Sequence, residues 1–240
     1  MPPPMIENFV VGIFTTVVTA IVVWVWDKIR RSQQLNRRAS FFGLAREGSC
    51  LAVMNHNPRS PNTMSHRDVE ILVDVVSLMN QIGGDLVIAP SDRILEPAGD
   101  MTEFCIGGPG SNQRAKVHLE NFLQGIWIND YAPESPESLA IATQKDTFRY
   151  EKNQNEYAVL ARFYPYAEAH PIFLFCGQTS RANQGAAHYL VRHYEKYLRA
   201  KFGNRKPFCL VLKLQSPTTY GYKAVKLVKD VTDVAFIPSR

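Results

Sequence analysis

The sequence predicts an α/β fold, a mainly parallel sheet with flanking helices, preceded by one N-terminal transmembrane helix. Residues 9–26 (FVVGIFTTVVTAIVVWVW) run for eighteen positions without a charge. Beyond them, apolar runs of strand length alternate with segments of helical spacing, the pattern of an α/β domain. Two of those alternations share one design: residues 103–123 and 171–202 each read as a buried strand, a loop of small residues and a helix.

With Met5 and Ile6 the first run approaches the roughly 20 residues that span a bilayer. Trp24 and Trp26 fall where an interfacial belt belongs, and Lys28, Arg30, Arg31, Arg37 and Arg38 follow, whereas the preceding flank offers Glu7 and prolines. Basic residues stay inside, so a single-pass membrane protein is expected, N-terminus out and C-terminal domain cytoplasmic. A secretory signal would place its positive charges ahead of the apolar core and a small-residue cleavage site behind it, and this flank has neither. Residues 1–27 are read as the anchor, 28–46 as a basic juxtamembrane helix or linker, and 47–240 as the α/β domain.

That domain opens with a strand at 49–55, followed by a loop that starts at His56. Ser65 with Asp68 three places on has the form of a capping box. Val69, Leu72, Val73, Val76 and Met79 mark the expected inward face of a helix that stops at Gly83. Residues 85–89 form the next strand, so strand, helix and strand make a parallel unit. Further strands are expected at 125–130, 157–164 and 171–176, with short extended pieces at 139–143 and 147–151. A helix from about 186 to 202 carries Ala187, Leu190, Val191, Tyr194 and Leu198 inward. Strands at 208–214 and 224–237, the second broken near Asp230, close the domain.

Of the formal charge of +5, residues 1–38 hold five Lys/Arg against Glu7 and Asp27, which leaves only +2 on the remainder. Nucleic acid is therefore not an expected partner. Cys50, Cys105, Cys176 and Cys209 each sit in an apolar run without a C-x-x-C pair, the pattern of reduced, buried thiols in a cytosolic domain.

Loops at the carboxyl ends of parallel strands border the ligand crevice where strand order reverses. The two strand-loop-helix units therefore supply the candidate site: Gly107, Gly108, Pro109, Ser111, Asn112 and Arg114 from the first, Gly177, Thr179, Ser180, Arg181 and Asn183 from the second. Glycines let the backbone approach a ligand, and the free N–H groups of a first helical turn attract an anion. Arg114 would complete a pocket for phosphate or carboxylate, and an Arg with an Asn in each unit suits phosphate and base or ribose edges. The competing reading is two tight connections in which Asn112 and Asn183 only cap. The sequence has no G-x-G-x-x-G, P-loop, G-x-S-x-G or H-E-x-x-H. Cys176 with His56 as its base is a weak nucleophile pair, because a cysteine in PIFLFC reads as core. His188 and His193 lie five apart on one helix, off the spacing that joins two ligands, so no metal is expected.

FCIGGPGSN, YAVLARFYPY, CGQTSRANQGAAHYL and the closing Lys229-Asp230-Val231-Thr232 together resemble a group of uncharacterised prokaryotic Rossmann-like proteins. Members of that group carry a GGP-x-x-N turn after one strand and a Gly-Thr-Ala-Ala-type helix start after a later one. The likeness runs over about residues 104–236 and departs at Asn183-Gln184-Gly185. It implies a Rossmann-like sheet and a nucleotide-like pocket, and no particular reaction or cofactor. The expected function is a membrane-anchored cytosolic sensor domain that binds a nucleotide-like or other anionic small molecule. Its expected partners are the membrane and that small molecule, and self-association into a homo-oligomer is compatible with them. One alternative is a nucleotide or glycosidic-bond hydrolase using Asp92, Asp100 or Glu103. Another is a non-catalytic membrane-tethered scaffold. Converging carboxylates would favour the hydrolase, and a pocket of amides, Arg and backbone N–H groups would favour the sensor.

Overall fold

The computed structural model describes residues 4–44, 48–55, 60 and 63–237. Its first element is an unbroken 38-residue helix, α1 (Pro4–Phe41). The helix is long and apolar enough to cross a membrane, and its apolar window is wholly unburied. Polar atoms inside that window are satisfied locally: the Thr16 and Thr19 hydroxyls donate to Gly12 O and Thr15 O, both at 2.8 Å.

The basic stretch after the apolar run continues the same helix, and the end of that helix belongs to the core. Ala39, Phe41 and Phe42 are buried, with Phe42 at ring-centroid distances of 5.3 Å from Phe173 and 5.1 Å from Tyr194. The last carbonyls of a helix lack intrahelical donors. Here Arg162 donates to Phe41 O at 3.2 Å, Thr102 Oγ1 donates to Phe42 O at 2.7 Å, and Arg38 pairs with Glu195 at 3.0 Å. Packing of the α/β body thus starts upstream of residue 47, where the sequence reading began the domain. A pair of phenylalanines in a basic segment is too short an apolar signal for periodicity to register as core.

The body continues with β1 (Ser49–Met54), α2 (His66–Ile82), β2 (Asp85–Pro90), β3 (Thr102–Ile106) and α3 (Gln113–Phe122). Then come β4 (Ile126–Ile128), β5 (Ile141–Thr143), β6 (Thr147–Phe148), β7 (Asn155–Phe163), β8 (Ile172–Gly177) and α4 (Ser180–His193). A π-type turn, Tyr194–Leu198, leads to α5 (Arg199–Phe202), β9 (Phe208–Gln215), α6 (Pro217–Tyr220), β10 (Val225–Asp230) and α7 (Thr232–Ala235).

Seven strands form the central sheet in the order β10-β9-β7-β8-β3-β1-β2. β2, β1, β3 and β8 pair in parallel, whereas β7 is antiparallel to both β8 and β9, and β10 is antiparallel to β9. The β7 reversal follows from its short connection to β8, since a parallel return needs a crossover of about a dozen residues or more. β4, β5 and β6 form a separate three-stranded antiparallel sheet. Alternation along β1 divides the core between the two faces: Cys50, Ala52 and Met54 pack with α2, α4 and the end of α1, while Leu51 and Val53 pack with α3, α7 and the small sheet.

Three elements differ from the sequence reading. Helix α2 buries Ile71, Val75, Leu78, Met79 and Ile82 and leaves Val69 and Val73 exposed. Of the expected inward face Met79 is buried and Leu72 packs against the core, so periodicity placed the face partly right and missed the side that Ile71, Val75 and Leu78 occupy. Helix α4 starts at Ser180 rather than near 186, so Arg181, Asn183 and Gly185 are helical. A Cβ on Gly185 would stand 2.7 Å from Leu214 Cδ1, so the glycine allows the helix to lie close against β9. The last segment turns into α7 instead of continuing as a strand, because the Asp230 carboxylate accepts from Thr232 N at 3.1 Å and bends the chain.

Candidate functional site

β1 and β3 are neighbours, yet the chain leaves β1 toward β2 on one side and reaches β8 through β3 on the other. This reversal is the place where an open α/β sheet forms a crevice. Asn55 follows β1, the 107–112 loop follows β3, and Gln178 and Thr179 follow β8. They meet around a cleft of about 210 Å³. Gly108, Pro109 and Ser111 line one wall, Gly177, Thr179, Ser180 and Asn183 line the other, and Asn129, Asp130 and Tyr131 close it from the segment after β4.

The loop after β3 is shaped by Asn55. Gly107 has φ +125°, and a Cβ there would fall 1.7 Å from Asn55 Oδ1, so only glycine allows the asparagine to lie over the turn. Ser111 Oγ donates to Asn55 Oδ1 at 3.1 Å, and Asn55 Nδ2 donates to Asp68 Oδ2 at 3.2 Å. Asp68 is buried in the first turn of α2, where its backbone N–H donates to Ser65 Oγ, the expected cap.

Four nominated residues are engaged by the fold. Asn112 is wholly buried, accepts from Ala115 N at 3.0 Å and donates to Ile106 O at 2.8 Å. Asn183 does line the cleft, but its Oδ1 accepts from Gly177 N at 2.6 Å. Arg114 turns away from the loop: its Nε and Nη2 donate to Glu103 Oε2 at 3.2 and 2.9 Å. Arg181 leans toward the buried Glu156, with Nη1 3.6 Å from Oε1. For the two arginines the reason is the same: a carboxylate taken into the strand layer requires a cation, and the first-turn arginine is within reach. Gly107 shapes the turn without lining the cleft.

Glu103 also meets His118 Nε2 at 2.7 Å. Burial alone pushes the Glu103 carboxyl up, but the His118 and Arg114 hydrogen bonds outweigh it and hold the pKa below the ordinary carboxylate value. Glu103, Cys105 and His118 bring donor atoms within 4.8 Å of one another, a grouping that spacing along the chain did not reveal. A cation there would have to displace the Arg114 guanidinium from Glu103. His188 and His193 are held apart by different rings, Tyr222 at 5.7 Å and Tyr189 at 4.3 Å.

The hydrolase carboxylates do not converge on the cleft. Glu103 is paired, Asp100 accepts from Tyr166 OH at 3.1 Å ahead of the amino end of β3, and Asp92 follows the edge strand β2. Burial pushes the Cys176 thiol up to about 12, and its proposed base, His56, lies outside the described residues. Asp130 is the carboxylate that does line the cleft, and sequence reasoning passed over it. Its one signal was a polar Asn-Asp step at the end of GIWIND. At the rim, Arg67 Nη1 stands 3.4 Å from Ser180 Oγ.

The cleft is lined by the Asp130 carboxylate, by amides, hydroxyls and backbone, and by the apolar Pro109, Ile128 and Leu139; the N-terminus of α4 opens onto it, and the loop leading into α3 reaches it with Gly110 and Ser111. Thr179 caps α4 by accepting from Ala182 N at 3.1 Å and in turn donates to Glu156. The first-turn N–H groups beyond such a cap have no intrahelical acceptor and favour negative charge. No protein-family model matches this chain, and no curated protein matches it.

Proposed function

We propose that this chain is a membrane-anchored cytosolic sensor domain of Rossmann-like build, whose cleft binds a small anionic molecule of the nucleotide-like class. The observation that carries the reading is the meeting of the α4 N-terminus with the glycine-bearing loop that leads into α3 around one cleft at the reversal point of the sheet. Binding draws on backbone N–H groups and the Ser180 hydroxyl, which accepts from Arg67, rather than on Arg114. Among the described residues Asp130 is the one carboxylate that lines the cleft, which favours a binding role over a paired-carboxylate hydrolase. Strand β7 supports a connection to the anchor: Glu156 at one end accepts from Thr179 beside the cleft, and Arg162 near the other end holds the last turn of α1. The cytosolic placement rests on the basic flank after the span.

Thermal unfolding of the full chain in mild detergent tests the binding. Phosphate, ribose 5-phosphate and ribonucleoside mono- and diphosphates form the panel. A ligand at a hundred times its Kd stabilises by about 2.7 kcal/mol, and a panel that leaves the transition unmoved overturns the proposal. For the topology, a cysteine introduced at the exposed Leu95 should resist an impermeant reagent in intact cells, and rapid labelling there would reverse the orientation.

A further inference from the structure

Among the described residues, the cleft does not stand alone. Pro109, Gly110, Ile128 and Asp130 line it and also line a larger groove of about 660 Å³ along the outer side of α3 and β4. At about 210 Å³ the inner cleft falls short of the roughly 300–1,000 Å³ of ordinary ligand sites. A phosphorylated sugar fits such a volume, and a larger ligand has to leave it over that shared sill.

The groove beyond the sill holds Trp127. On β4 the neighbouring Ile126 is buried in the core, so alternation turns Trp127 outward, where it stays 44% exposed. Its cross-strand partner on β5 is Ala142, too small to cover an indole. Gln113 and Gln124 offer amide edges along the same groove. Lys116 supplies a cation, 4.0 Å from the exposed carboxylate of Glu120 on the same groove. A second hollow also borders the cleft, against Ala132, Ser135 and Ser138, but its lining brings neither ring nor cation.

We infer that the groove is a second subsite, in which a nucleobase stacks on Trp127 while the ribose phosphate of the same ligand occupies the inner cleft. The inference rests on the anion-site reading above and names the ligand class as a ribonucleotide. Stacking on an exposed indole tolerates any base because each base presents a π-face, so all four bases should gain from Trp127.

Calorimetric titration of the full chain in detergent separates the two claims. The probes are ribose 5-phosphate and the four ribonucleoside 5′-monophosphates, each on wild type, Trp127→Ala and Trp127→Phe. Ribose 5-phosphate should bind all three proteins alike. The nucleotides should bind wild type about tenfold or more tighter than ribose 5-phosphate, a gain lost in Trp127→Ala and largely kept in Trp127→Phe. If ribose 5-phosphate binds but a base adds nothing, or if Trp127→Ala keeps the gain, the second subsite is refuted and the inner site stands. If neither probe binds wild type, both proposals fall.

Discussion

The two strand-loop-helix units look alike in sequence and differ in how firmly they are closed. After β3 the cap is an asparagine with no exposed surface and the first-turn arginine grips Glu103 through two nitrogens. After β8 the cap is a threonine, and Arg181 stands 3.6 Å from Glu156. The first unit is a fixed wall, and the second is a more loosely tied one that shares its carboxylate with a hydroxyl at the cleft. The arginines that suggest a ligand site were in both units consumed by the fold, and what the two units turn to the cleft is mostly hydroxyls and backbone.

The widest gap between the units should appear when their carboxylates are removed. Glu103→Ala strands a partly buried arginine beside a buried histidine, a loss of about 3–5 kcal/mol. Glu156→Ala breaks a longer ion pair and one hydroxyl bond, a loss of about 1–2 kcal/mol. Equilibrium unfolding of the full chain in detergent measures both, and equal losses would erase the distinction. The caps come next: Asn112→Ala should cost about 2 kcal/mol because it also frees the buried Ile106 carbonyl, against about 1 kcal/mol for Thr179→Ala.

Acid should sharpen the same contrast. The folded pKa of Glu103 lies below its ordinary value of 4.5, so its stabilisation is fully present above that value and is lost as pH falls through the lower folded value. Asp230 is also held low: its burial acts upward, and hydrogen bonds from Lys201 and Thr232 outweigh it. The Glu103 share is therefore the part of the acid slope that Glu103→Gln removes, and an unchanged slope below pH 4.5 contradicts it. The smallest signal is in the thiols. Cys176 lies on the strand that feeds the looser unit, yet burial pushes it up to about 12, as burial first and the Asp85 charge second do for Cys50. Both should label slowly with a thiol reagent before unfolding, and fast labelling of Cys176 would mean that the β8 end opens far more than its packing allows.

Much of this architecture was legible because it is written in short range. The apolar span, the order of strands and helices and the Ser65 cap follow from local pattern. The misreadings concern partners that lie far apart in the chain. Gly185 reads as a loop residue until Leu214 is seen against it, and Arg114 reads as a ligand cation until Glu103 claims it. Asn55 gave no local hint of lying over Gly107, and Val73 lost to Val75 only because the sheet and α4 face one side of α2.

Helix α1 has a mechanical consequence in the membrane-anchored reading. It contains no proline after Pro4, and its helical hydrogen bonding runs from the span to the buried Phe41 without a break. From Trp26 to Ala39 it extends about 20 Å at about 1.5 Å per residue, farther than the roughly 8 Å over which head-group charge is felt at physiological salt. The anchor is thus a shaft clamped at its inner end by Arg162 and Thr102. A change in the body would reach the bilayer as a tilt or a rotation of that shaft, and two chains side by side would have to move theirs together.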